Sequence, residues 1–100
     1  MSESKFTPGP WFAKREGFST VYVEARLRHG VIQEVAACGP TEAGQAQQEA
    51  NARLIATAPD LLSIVQRFVA LDAQWHPDRY ATEKAELMAE ARATVTKAIS

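Results

Sequence analysis

One hundred residues, 46% hydrophobic and 23% charged, make one globular domain that buries roughly 60–65% of its unfolded surface, and exclude disordered, collagen-like and coiled-coil classes. The formal net charge is −1, with acids and cations interleaved along the chain. No basic stripe is left for phosphates or anionic lipid, which disfavours nucleic-acid and membrane partners.

Residues 1–10 end in Thr7-Pro8-Gly9-Pro10, a rigid lead-in turn, because two prolines around a glycine continue neither helix nor sheet. Strand signals follow over 11–38. Trp11 to Arg15 is short and mixed, and Phe18 to Arg28 is rich in aromatic and β-branched residues that alternate. His29-Gly30 reads as a two-residue hairpin loop. With Arg28 facing Val31, Leu27/Ile32, Ala25/Glu34, Val23/Ala36 and Val21/Cys38 share an apolar face broken only by Glu34. That carboxylate is expected at the sheet rim or paired with Arg53, since a buried charge needs a partner. Glu16-Gly17 closes the earlier hairpin, placing Phe12 opposite Val21 inside and Trp11 opposite Tyr22 outside; a one-residue slip exchanges the two faces.

Gly39-Pro40 ends the sheet, and a helical layer is predicted over 41–99. Thr41 is the expected N-cap, with Glu42 in the first turn and Ala43, Ala46, Ala50 and Leu54 on one face. Pro59 marks a second helix with a broad stripe of Leu61, Leu62, Val65, Phe68 and Val69. Pro77 forces a break, and Ala81 to Ile99 forms a third helix with Met88, Ala91, Val95 and Ile99 inward. The fold class is therefore α+β: a three-stranded antiparallel meander followed by two or three helices packed on one face. Two free sheet edges, and more apolar stripe than one small sheet covers, lead us to expect a homodimer.

Thr7-Pro8-Gly9-Pro10-Trp11 and Ala50-Asn51-Ala52-Arg53-Leu54-Ile55-Ala56-Thr57-Ala58-Pro59-Asp60-Leu61-Leu62 resemble segments of a family of small proteins encoded by bacteriophages and prophages. The resemblance spans Thr7 to Leu62. It implies a phage or prophage setting in a bacterial cytoplasm, and it implies no activity. A cytoplasmic location also fits the start of the chain, where no basic segment leads into an apolar run, and the lack of any apolar stretch of ~20 residues.

Nothing in the chain signals catalysis: no phosphate loop, no nucleophile elbow, no Cys/His set at metal spacing, and no cofactor motif. Cys38 is the lone cysteine, so neither a disulfide nor a thiolate metal site forms within the chain. A non-enzymatic protein that binds a host or phage protein is expected, with inhibition of a host defence system as one form of it. Two surfaces carry the residue types enriched at hot spots. One is the inter-helix loop Trp75, His76, Asp78, Arg79 and Tyr80, stiffened by Pro77. The other is the outer sheet face with Trp11, Tyr22, Glu24, Arg26 and Val35.

Two further readings compete. His76-Pro77-Asp78 resembles the tripeptide of J-domain co-chaperones, although the preceding segment lacks that family's basic helix, the first helix and tyrosine-rich core are unrecognisable, and the meander has no place in that fold. Lys14, Arg15, Arg26 and Arg28 are the cations a nucleic-acid accessory protein would use.

Overall fold

The computed structural model describes residues 5–17, 19–73 and 76–99. The meander forms as β1 (Trp11–Glu16), β2 (Thr20–Arg26) and β3 (Ile32–Cys38), antiparallel in the order β1-β2-β3. Three helices follow: α1 (Gln45–Ala56), α2 (Ala58–Ala73) and α3 (Pro77–Ile99). The α+β class and element order match the expectation.

The strand registers differ from it in two places, for local reasons. In the first hairpin Glu16 pairs with Thr20, leaving a three-residue loop in which Gly17 takes φ 64°. Trp11 therefore sits opposite Ala25 and Phe12 opposite Glu24. The shift from the expected pairing is odd, so the faces exchange: Trp11 turns inward and Phe12 outward. In the second hairpin the Leu27 N–H donates to the Val31 carbonyl (2.7 Å) around a three-residue turn, Arg28–Gly30, with His29 and Gly30 both at positive φ. Val21↔Cys38 and Val23↔Ala36 hold as expected. A bulge at Val35 then shifts the register, so Ala25 faces Gln33 and Glu24 faces Glu34. The extra residue removes Glu34 from the core side and brings Val35 against the core instead.

The core under the sheet contains Val21, Val23, Ala52 and Ala56, with Trp11, Val35, Ala36, Cys38 and Ile55 packed around it. Alanine at 52 and 56 lets the α1 backbone lie close to the strands. The buried face of α1 is Gln48, Ala52 and Ala56, one residue per turn, whereas Ala43, Ala46, Ala50 and Leu54 are exposed. Helix α1 starts later than expected. Thr41 closes a turn with Gly44, whose N–H donates to the Thr41 carbonyl (3.1 Å), and Gly44 at φ 94° is the N-cap. Ala46, Ala50 and Leu54 still share one face of the helix, but packing against the strands selects the neighbouring stripe of Gln48, Ala52 and Ala56 as the inward one.

Helices α1 and α2 meet at a 41° bend. Thr57 at the joint is buried, and its hydroxyl donates to the Arg53 carbonyl (2.8 Å). Pro59, having no N–H, interrupts the helical ladder just beyond it. The first turn of α2 meets the lead-in segment, where Phe6, Trp11, Ala58, Pro59 and Leu62 surround an apolar pocket. Beyond this point α2 and α3 run out together as an antiparallel pair. The molecule measures 53 × 33 × 18 Å, with a radius of gyration of 16.5 Å. A compact chain of this length has about 13 Å, so the hairpin projects.

Along the hairpin, Leu61, Ile64, Phe68 and Leu71 of α2 are shielded at three-four spacing, as are Leu87, Ala91, Thr94 and Ala98 of α3. Helix α3 was expected to face inward with Met88, Ala91, Val95 and Ile99. Its fully buried positions are Leu87, Thr94 and Ala98, and Val95 and Ile99 are exposed. Helix α2 likewise leaves Leu62, Val65 and Val69 exposed. Each helix carries two apolar stripes, and the pair buries only one of each.

Candidate interaction site

At the inner edge of the sheet a polar cluster locks α1 in place. By alternation from Trp11 and Ala13, Arg15 points inward. Its Nε donates to Glu49 Oε1 (2.8 Å) and its Nη2 to Gln48 Oε1 (3.0 Å). Gln48, 1% exposed, donates from Nε2 to the carbonyls of Ser19 and Cys38, both at 2.8 Å. One glutamine thus ties the β1–β2 turn and the end of β3 to α1. Arg15 Nη1 is buried without a partner. Sequence reasoning missed this cluster because it set the phase of α1 by its alanines. The pair Ala52 and Ala56 alone would have pointed to position 48.

The cations grouped for phosphate contact do not all gather on one surface; only Lys14 and Arg26 share the outer face of the sheet. Arg15 is committed inside, Lys14 pairs with Glu16 (3.3 Å), Arg26 lies over the Phe12 ring (5.9 Å), and Arg28 sits in the turn.

Of the sequence-proposed contact residues, Tyr22 and Arg26 lie on the outer face of the sheet, as expected. Trp11 does not: it packs at the core, and its Nε1 donates to the Thr7 carbonyl (3.0 Å) with Phe6 edge-on to its ring. Val35 also leaves the outer face, at the bulge. Phe12 takes the place expected for Trp11. It stands opposite Glu24, with Tyr22 and Arg26 as its diagonal neighbours. On the other side of Glu24 stands Glu34, paired directly with it. Like charges in direct opposition destabilise a sheet.

The segment expected as an open loop is the start of α3. Pro77, Asp78, Arg79 and Tyr80 are helical, and the His76 carbonyl accepts from the N–H groups of Arg79 (3.1 Å) and Tyr80 (2.8 Å). Proline at the first helical position and aspartate in the first turn suit a helix start. The His-Pro-Asp tripeptide therefore lies in a helix-initiating turn. His76, Asp78 and Arg79 are exposed, while Tyr80 is half-buried with Lys84 over its ring (5.8 Å). Trp75 lies outside the described residues.

Among the described residues no group of three His, Cys, Asp or Glu side chains is placed to hold a metal. No single helix among them is long and apolar enough to cross a membrane; only α1 and α2 taken together across their bend reach that length and composition.

The two flanks of the hairpin differ in chemistry. On one, Asp60 pairs with Lys97 (3.3 Å), and Arg67 donates from both terminal guanidinium nitrogens to the two carboxylate oxygens of Glu90. This contact raises the Arg67 pKa and lowers that of Glu90, in each case chiefly through the side-chain hydrogen bond. Arg79, Glu83 and Glu86 continue the charged flank. The opposite flank carries Leu62, Val65 and Val69 beside Met88, Val95 and Ile99.

A family model described as Salmonella phage P22 protein Y8K6 matches residues 1–100. No curated protein and no solved structure matches the chain.

Proposed function

Because the chain belongs to the Salmonella phage P22 protein Y8K6 family, we propose that it is a phage-encoded accessory protein that works by binding another protein, with no bond made or broken. The observation that carries this reading is the uncovered outer face of the sheet. Phe12, Tyr22 and Arg26 are hot-spot or large apolar residue types, held on rigid strands around two opposed carboxylates. Glu24 opposite Glu34 costs the free domain stability and gains a use when a cationic group enters between them. The fitting partner is a protein of the host or the phage that presents Lys or Arg beside an apolar side chain, met in the bacterial cytoplasm. Inhibition of a host defence system by covering such a surface is the form of this activity that we favour.

A pull-down from infected or lysogenic host lysate tests it. The wild-type chain should retain a partner that Tyr22→Ala retains at least about tenfold less well, with thermal unfolding nearly unchanged. Equal capture by both chains would remove this face from consideration.

A further inference from the structure

We propose that the apolar flank of the α2–α3 hairpin is covered by a second copy of this chain, forming a two-fold dimer with four helices in the joint. The claim is independent of the outer sheet face, which lies on another part of the molecule.

The geometry begins with the register. Asp60–Lys97 and Arg67–Glu90 fix α2 and α3 as antiparallel and mark one flank of the seam. In such a pair, residues one step round each helix from the seam, in the other direction, share the opposite flank. Leu62, Val65 and Val69 of α2 therefore lie beside Met88, Val95 and Ile99 of α3. Val65 is 58% exposed, Val69 65% and Ile99 76%. Phe6, also exposed, extends the flank at the Leu62 end through their shared pocket. Monomers rarely leave contiguous apolar patches beyond a few hundred Å².

The dimensions fit a copy of itself. The 23 residues of α3 run about 34 Å at 1.5 Å per residue. Two helices about 9 Å apart offer a strip nearly twice that wide. With the 16 residues of α2 running about 24 Å, such a strip is on the order of 500 Å² before side-chain relief is counted, against the ~800 Å² each partner gives to a stable interface. Pairing two helical hairpins through their second apolar stripes completes a four-helix bundle, the arrangement in which both stripes are buried.

Charge sets the orientation. Asp72, Arg92 and Lys84, which lines the same surface as Met88 and Arg92, lie on this flank, and among the described residues none of the three takes part in an intrachain ion pair. A two-fold axis crossing the hairpin near Val69 and Met88 reverses one copy end for end. It brings each Asp72 to the level of the other copy's Arg92.

Sedimentation velocity on the full chain tests the proposal. The wild type should sediment as a dimer, twice the 11.0 kDa chain mass. Val69→Glu, at an exposed position, should raise the dimer dissociation constant by at least about 100-fold while helical circular dichroism is retained. Asp72→Arg and Arg92→Asp should each weaken the dimer, and the two together should restore it. A wild type that stays monomeric at about 100 μM, far above the Kd of a standard-size interface, would overturn the proposal. So would a dimer indifferent to Val69→Glu, or one broken instead by Tyr22→Ala. That last substitution also separates this proposal from the partner-binding reading, since each face fails alone.

Discussion

The sheet with α1 and the α2–α3 hairpin are built from similar residues and held in different ways. Under the sheet, two layers close on each other. Val21, Val23 and Ala25 are at most 2% exposed, and Gln48 stitches a turn, a strand end and a helix into one unit. The hairpin closes along the α2–α3 seam, with α3 also meeting α1, and its second stripe faces water. Binary patterning makes an element, but only an opposing surface decides which of its apolar stripes becomes core.

Breaking the glutamine tie should have the largest effect. Gln48→Ala leaves two carbonyls and Arg15 Nη2 without their side-chain partner at the sheet edge, although Glu49 still holds Arg15 Nε, and should cost about 2–4 kcal/mol in denaturant unfolding. Val23→Ala, which opens a cavity in the closed half, should cost about 2–3 kcal/mol. The same truncation at Val69, on the open flank, should change the stability of the isolated monomer by less than about 0.5 kcal/mol. Equal losses at the two valines would erase the contrast between the halves.

Smaller effects sharpen it. Glu34→Gln relieves the like-charge pair with Glu24 and should raise stability by about 0.5 kcal/mol, while weakening capture of a partner. On the charged flank of the hairpin, the folded-state pKa of Glu90 is depressed by Arg67. Its stabilisation is therefore present above the ordinary carboxylate pKa and is lost as pH falls through the depressed value. Glu90→Gln should slightly flatten the acid limb of the stability profile and leave the neutral limb unchanged.

The elements were legible because their signals are local: β-branched alternation in the strands, glycines at the turns, and Pro59 at the start of α2, whereas Pro77 reads as a break and is in fact the first residue of α3. Faces and registers were less so. Trp11 and Phe12 exchanged sides because a three-residue loop stands where Glu16-Gly17 suggested two. Glu34 left the core because of one extra residue at Val35, and a bulge has no composition of its own. Helix phase failed where small and large apolar residues occupy two stripes at once, as in Ala46, Ala50 and Leu54 against Ala52 and Ala56. In α3, Met88, Val95 and Ile99 form as good a stripe as the Leu87, Thr94 and Ala98 that are buried. Tyr22 and Arg26 stand on the outer face as expected because alternation places them there whichever hairpin register is adopted. The Arg15–Gln48 cluster needed both the strand register and the helix phase, so no single segment could reveal it.

The concentration dependence of thermal unfolding bears most directly on the difference between the halves. If a second copy covers the open stripe, the wild-type Tm should rise by several degrees over a roughly 100-fold increase in protein concentration. The Val69→Glu chain should then melt lower and at one fixed temperature. A wild-type Tm that is the same at every concentration, and matched by Val69→Glu, would mean that the hairpin is complete with half its apolar surface in water.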